Sequence, residues 1–117
     1  MVGRLWEVQL APPLDAEFDA YASGAALPMV RGRMGCSAVF ILRAPAGGGR
    51  AILTFWLSRK AMAVAAASEE WNEVARGFER FGVAFDLDHA RPFESVAHFF
   101  AGETTDAPAG TPRSPNS

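Results

Sequence analysis

Alternating or continuous apolar runs predict strands at four places in the chain. In the first, Trp6, Val8 and Leu10 alternate with more polar positions, a period-two pattern typical of a strand. The second and third are rich in β-forming residues and are joined by a Gly-rich turn, which indicates an antiparallel hairpin. The four predicted strands are residues 4–10, 36–43, 50–56 and 93–100.

Apolar residues at helical spacing predict helices between these strands. The first helix is expected to close at Gly24, which leaves residues 24–35 as a connection. The second follows Ser58, continues through a second cap at Ser68, and ends at Gly82 as one long or kinked helix. The element order is therefore β-α-β-β-α-β, which predicts an α+β, ferredoxin-like domain with a four-stranded antiparallel sheet.

The second predicted strand is apolar on both faces, and so is most of the third, whereas the helices suffice for only one face. Ala38, Phe40 and Leu42 lie on one side of the second strand, and Val39 and Ile41 on the other. A large apolar face left in water is an association site, so we expect a second copy to cover it as a homodimeric α+β barrel. Alternatively, helix ends, the connection after the first helix or the C-terminal segment fold over this face.

Composition narrows the function classes. The formal net charge is −2 and the cationic residues are spread along the chain, which argues against nucleic acid as a partner. The chain has no apolar run long enough to span a membrane, and its N-terminal residues lack the apolar core of a signal peptide. We therefore expect a cytoplasmic protein with no membrane partner. Residues 103–117 are rich in Pro, Gly, Ser and Thr, which predicts a folded domain at residues 1–102 and a disordered tail.

The segment ILTFWLSRKAMAVAAASEEWNEV carries a family resemblance. It has the aromatic–Trp pair Phe55 and Trp56 at a strand end, Ser58 as a helix cap, an Ala-rich turn, and Ser68 before an acidic helix. In this pattern the chain resembles the antibiotic-biosynthesis-monooxygenase-like family of dimeric α+β barrels. The resemblance implies a homodimer and, in some members, a cofactor-free oxygenase of aromatic, polyketide-type substrates.

The resemblance spans about residues 4–100. Upstream of the second strand, in MGCSAVFILR, Gly35 is kept where the family often has Pro-Gly, and Met34 stands at the proline position. The family also includes heme-degrading enzymes and proteins of no established activity. The heme branch is disfavoured, because Ala65 and Ala75 stand where the resemblance places its Trp and its iron-ligating His. We therefore expect no cofactor.

Candidate chemistry rests on a few polar residues among aromatic ones. His98 is the candidate catalytic base, because the ordinary pKa of histidine suits proton transfer near neutral pH, and Glu7 is the second candidate catalytic residue. We expect a pocket between sheet and helices, walled by Trp56. The expected ligand-binding residues are Trp56, Gln9, Tyr21, Thr54, Phe55 and Trp71. The plainer alternative is that these histidine and aromatic side chains belong to the core or to an interface.

Metal and thiol chemistry are disfavoured. The chain has two histidines, His89 and His98, and one cysteine, Cys36, whereas a metal site needs three or four converging ligands. Cys36 has no paired histidine or helix N-terminus to lower its pKa, so we interpret it as a small buried residue. Three hypotheses stay open: a cofactor-independent monooxygenase, a non-catalytic dimer that binds a small aromatic ligand, and a structural or interaction domain.

Overall fold

The computed structural model describes residues 1–99; the predicted domain boundary at residue 102 and the predicted tail lie outside this range. Its sheet has the order β2-β3-β1-β4, and each neighbouring pair is antiparallel. This order confirms the predicted ferredoxin-like α+β fold. The strands are β1 (Val2–Gln9), β2 (Cys36–Arg43), β3 (Gly49–Trp56) and β4 (Arg91–Glu94).

Two helical units pack on one face of the sheet. In the second unit the chain bends between two helices, and Ser68 caps the later one by accepting a hydrogen bond from the Trp71 N–H at 3.2 Å. Ser58 caps the earlier one in the same way, so both predicted caps are confirmed. The helices are α1 (Asp15–Tyr21), α2 (Leu27–Arg31), α3 (Arg59–Ala66) and α4 (Glu69–Glu79), with a 3-10 turn at Pro12–Leu14 and a π-helical turn at Ala22–Ala26.

The prediction that the first helix closes at Gly24 is wrong. The chain stays helical through the π turn into α2 and leaves the helix only after Arg31. Ala22, Ala26 and Val30 are buried at a spacing of four residues, so a single apolar stripe continues along the helix toward the sheet. Burial of that stripe outweighs the helix-ending tendency of the glycine.

The predicted fourth strand, residues 93–100, is also misplaced. β4 pairs with β1 over Arg91–Glu94, and the last residue pair of this ladder is Val2 with Glu94. One further bond, from the Ser95 N–H to the Met1 carbonyl at 3.0 Å, follows. Residues 95–99 therefore leave the sheet, and the expected placing of His98 on a strand face is wrong.

The core lies between the helices and one face of the sheet. Trp6 of β1 and Trp56 of β3 point into it, while Val39 and Ile41 of β2 pack against its rim. The opposite face carries no helix within residues 1–99. Its apolar side chains alternate with the core residues along the same strands: Leu5, Ala38, Phe40, Leu42, Leu53, Phe55 and Phe93.

Candidate functional site

The sheet divides the predicted site residues into two groups. Along β3, Thr54 and Trp56 point toward the helices and are fully buried. Phe55, one residue away, points to the opposite face, where it lines a groove together with His98. Because neighbouring residues of a strand point to opposite faces, the structure does not bring the candidate base and the tryptophan into one pocket.

Trp56 and Thr54 satisfy each other's polar groups inside the core. The indole Nε1–H of Trp56 donates to the Thr54 Oγ1 at 3.1 Å. The ring centroid of Trp71 lies 6.2 Å from that of Trp56. The Trp56 side chain is therefore fully buried and bonded within the core, and a role for it in ligand binding stays a prediction.

The other two tryptophans tie residues 83–87 to the core. Trp71 donates its indole N–H to the Phe85 carbonyl at 2.8 Å, and Trp6 donates to the Asp86 carbonyl at 2.9 Å. The rings of Trp71 and Phe85 stack with centroids 4.6 Å apart and planes 11° apart. Both indole groups therefore bond to backbone, which is the contact expected of core tryptophans.

Tyr21 holds α1 against α4. Its hydroxyl donates to the Val74 carbonyl at 2.9 Å, and its ring meets Phe78 edge to face at 5.1 Å. Burial raises the pKa of Tyr21 above its ordinary value of 10.0, so the hydroxyl remains a donor at neutral pH. These contacts bind two helices together and direct no group toward a cavity.

A groove of about 560 Å³ runs across the open face of the sheet. Its floor is apolar, and the rings of Phe40, Phe55 and Phe93 line it. Gly3 lets the ring of Phe55 lie flat on β1, since a Cβ at that position would come within 2.8 Å of the ring. We call this the open-face groove; its lining is Met1, Leu5, Ala38, Phe40, Leu53, Phe55, Phe93, Glu94, Ser95, Ala97, His98 and Phe99.

Polar groups enter the open-face groove at one end, where the chain leaves β4. Glu94, the last residue of β4, forms an exposed ion pair with Arg59 of α3. His98 follows four residues later and brings an imidazole to a lining that is mostly apolar and also contains Glu94 and Ser95. The groove can therefore receive a flat apolar molecule and place a proton-accepting side chain beside it.

The other two polar candidates lie on the same face but outside this groove. The Glu7 carboxylate accepts a hydrogen bond from Arg91 Nη1 at 3.0 Å, and both side chains are exposed. Gln9 lines a neighbouring groove with Glu7 and Arg43 beside the β2–β3 hairpin. The parity of β1 predicted that Glu7 and Gln9 share a face, but the structure does not bring them beside His98.

A third groove, of about 490 Å³, lies between α4 and residues 82–87, where the sequence had predicted only a connection. Its polar lining comes from Asn72, Arg76, Glu79 and Asp86. A hydrogen bond from His89 holds the pKa of Asp86 below its ordinary value of 3.8. The sequence feature that could have indicated this groove is a short alternation within the predicted connection, where the buried residues Val83 and Phe85 flank the exposed Ala84.

Thiol and metal chemistry find little support among the described residues. Burial raises the pKa of Cys36 above its ordinary value of 9.0, which suppresses the reactive thiolate. No cluster of three or more His, Cys, Asp or Glu side chains arranged to hold a metal ion occurs in residues 1–99. In the same range, each helix is too short or too polar to cross a membrane.

No protein-family profile and no curated protein sequence matches the chain. Solved structures do match. A Deinococcus radiodurans protein described as a candidate antibiotic biosynthesis monooxygenase has a TM-score of 0.69 at 17% identity, over 86% of this chain and 97% of the other. A variant of SnoaB from Streptomyces nogalater, described as a cofactor-independent oxygenase, has a TM-score of 0.70 at 14% identity, over 83% and 94%.

The same fold also occurs in a protein described without an activity. A conserved protein from Methanosarcina mazei matches with a TM-score of 0.62 at 13% identity, over 79% of this chain and 87% of the other. At such identities a structural match establishes the fold, and activity has to be argued from the site. The chain therefore has the fold of the antibiotic biosynthesis monooxygenase structures.

Proposed function

We propose that the protein is a homodimeric, cofactor-independent monooxygenase that acts on a flat aromatic molecule bound in the open-face groove. The observation that carries the proposal is the lining of that groove, where four phenylalanine rings and several aliphatic side chains lie beside His98. Aromatic walls suit a flat ring system, and a convergent polar group orients it. The reaction class, cofactor-independent oxygenation, is proposed by analogy with SnoaB, whose fold this chain shares.

The proposed chemistry needs only substrate, oxygen and one base. His98 removes a proton from an activated CH₂ group of an anthrone-type substrate, which leaves a carbanion stabilised by the ring system. The carbanion supplies the electrons that reduce O₂, so that a C–O bond forms, and the resulting peroxide anion takes back the proton that His98 removed. The hydroperoxide then loses its remaining C–H proton together with the outer OH group as water, which leaves a carbonyl that retains one oxygen atom of O₂. The apolar groove keeps bulk water from the intermediates.

The homodimer is part of this proposal. Two four-stranded sheets that meet face to face make a barrel of eight strands, whose interior has room for side chains and one small ligand. The exposed rings of Phe40 and Phe93 would then be buried in the barrel. The expected partners are a second copy and the aromatic ligand; nucleic acid and membrane are not expected. The cytoplasmic location stays a prediction.

The direct test is oxygen uptake with a panel of anthrones and hydroquinones, without added flavin, metal or heme. Replacing His98 by Ala should slow turnover about 100-fold or more, the usual contribution of a general base. His89→Ala is the matched control, because His89 is exposed and paired with Asp86 away from the groove. Turnover of the His98→Ala variant at the wild-type rate would refute the role of His98.

Glu7 has a weaker place in the proposal. Its carboxylate is paired with Arg91 beside the groove, so it is better placed to shape the entrance than to take a proton. Glu7→Gln should change KM more than kcat. An equal loss of kcat and kcat/KM would instead return Glu7 to the reacting centre.

A non-catalytic ligand-binding or structural dimer is the second candidate. One observation favours it: Trp56, Trp71 and Tyr21, expected to line the pocket, bond within the core. In that case the panel should bind, as measured by titration calorimetry, without oxygen uptake. Neither binding nor uptake would favour the purely structural function.

A further inference from the structure

A further groove, of about 520 Å³, lies between α3 and the turn that follows α2. We call it the α3 groove; its walls include Arg33, Met34, Lys60, Ala61, Val64 and Ala65. The turn packs closely on α3 because Gly35 has no side chain: a Cβ there would lie 2.5 Å from the Ala61 Cβ. Among the described residues, the α3 groove and the open-face groove have no lining residue in common, so the α3 groove is a separate candidate site.

The walls of the α3 groove expose apolar surface to water. Met34 and Val64 are 92% and 65% exposed, and both belong to its lining. The volume of the groove falls within the range of about 300–1,000 Å³ that is usual for small-molecule sites. The lining within residues 1–99 contains no aromatic ring, so an aliphatic chain suits this groove better than a flat ring system.

Two cationic side chains, Arg33 and Lys60, line the α3 groove, and no acidic side chain of residues 1–99 does. The Arg33 side chain is 32% exposed, and its Nη1 lies 3.5 Å from the Oε1 of Glu70, too far for a strong hydrogen bond. Within the described residues, the buried Nε of Arg33 has no hydrogen-bond partner. A half-buried guanidinium that is incompletely bonded favours an anion, and a carboxylate matches its planar set of donors.

We infer that the α3 groove binds a medium-chain carboxylate, whose aliphatic chain lies against Met34 and Val64 and whose carboxylate pairs with Arg33. Lys60 lies in the first turn of α3 and adds a second positive charge to the same lining. One short amphiphile satisfies both the apolar wall and the cations, whereas a protein partner would need about 800 Å² of matching surface. The inference does not depend on the proposed oxygenase activity, which belongs to the open-face groove.

Titration calorimetry of the full chain with octanoate tests this site, with octanol as the uncharged probe of equal length. We expect octanoate to bind about tenfold more tightly than octanol, and added salt to weaken only octanoate, because salt screens the charge. Arg33→Gln should weaken octanoate binding about tenfold, since it removes one partly exposed charge-assisted contact. Val64→Glu should weaken it at least as much by placing a like charge on the apolar wall. Val64 is 65% exposed, so this second variant should fold even if Arg33→Gln does not.

Arg31→Gln is the matched control. Arg31 is the last residue of α2, is exposed and lies outside the groove lining. The same loss of charge there should leave the octanoate affinity within about twofold of wild type. Equal binding of octanoate and octanol, or octanoate binding that neither Arg33→Gln nor Val64→Glu weakens, would overturn the assignment. Absence of octanoate binding would also overturn it, and binding of a Glu- and Leu-rich peptide in its place would identify an acidic protein as the occupant.

Discussion

The ion pair between Arg50 and Asp19 is the site at which one substitution should most clearly change stability. The Arg50 side chain is 2% exposed, while that of Asp19 is 40% exposed. Arg50 donates twice, from Nε to Oδ1 at 2.7 Å and from Nη2 to Oδ2 at 3.1 Å. Asp19→Asn leaves the guanidinium buried in the same place but removes the charge that balances it.

The loss of stability depends on how exposed the ion pair is to water. Removal of one charged partner from a fully buried ion pair lowers the free energy of unfolding by about 3–5 kcal/mol. Because the Asp19 carboxylate is partly exposed, solvent screens it, and the asparagine oxygen still accepts one bond. We therefore expect a loss of about 2 kcal/mol, which corresponds to a fall in melting temperature of about 10 °C for a domain of this size.

The assay is thermal unfolding followed by circular dichroism at neutral and acid pH. The hydrogen bonds from Arg50 lower the pKa of Asp19 below its ordinary value of 3.8. The pair therefore contributes fully above that ordinary value, and its contribution is lost as the pH falls through the lower folded-state pKa. The gap between wild type and Asp19→Asn should be full at neutral pH and narrow in acid.

Arg43 provides the control for this experiment. Its Nη1 lies 3.7 Å from the same carboxylate, but its side chain is 69% exposed. Arg43→Met should cost less than about 1 kcal/mol, as exposed pairs do. If the Asp19→Asn variant melts within about 2 °C of wild type at neutral pH, or if the difference in melting temperature does not narrow in acid, this ion pair does not stabilise the domain.

Three further predictions concern the core, the open face and the loop before β4. Gly77→Ala should lower the free energy of unfolding in urea by about 1–3 kcal/mol, because a Cβ at this position would lie 1.9 Å from the Tyr21 hydroxyl oxygen. An unchanged urea midpoint would contradict this close packing. Phe40→Asp should give a folded monomer by light scattering, whereas Ile41→Asp should unfold the chain, since Ile41 packs on the core. The reverse outcome would mean that the faces are misassigned. The hydrogen bond to Asp86 raises the pKa of His89. The pairing of these two side chains therefore stabilises the protein while His89 is protonated, and this contribution is lost as the pH rises through the raised pKa of His89. Asp86→Asn should lower the His89 pKa measured by NMR, and no change would refute the pairing.

Strand positions could be predicted because alternation fixes which side chains share a face. The burial of Trp6 and Trp56 on one side, with Phe55 on the other, follows that parity. Parity does not say which face of the sheet the helices cover, so the sequence could not decide whether Phe40 or Ile41 lies on the open face. That choice depends on how the helices cross the sheet.

Errors arose where tertiary packing outweighed local signals. Gly24 predicted a helix end, but the small buried side chains of Ala22 and Ala26 continue the helix. Residues 93–100 have strand-forming composition, yet β4 is limited by its pairing with β1. Trp56 predicted a cavity wall because of its place at a strand end, whereas in the structure its side chain is fully buried and its ring centroid lies 6.2 Å from that of Trp71.

Sedimentation equilibrium of the wild-type chain shows whether a second copy covers the open face of the sheet. At micromolar concentration we expect a mass about twice the 12.5 kDa of one chain. This mass should fall toward that of one chain only on strong dilution. A mass of 12.5 kDa throughout the micromolar range would show that the open face stays uncovered and that the proposed dimer is wrong.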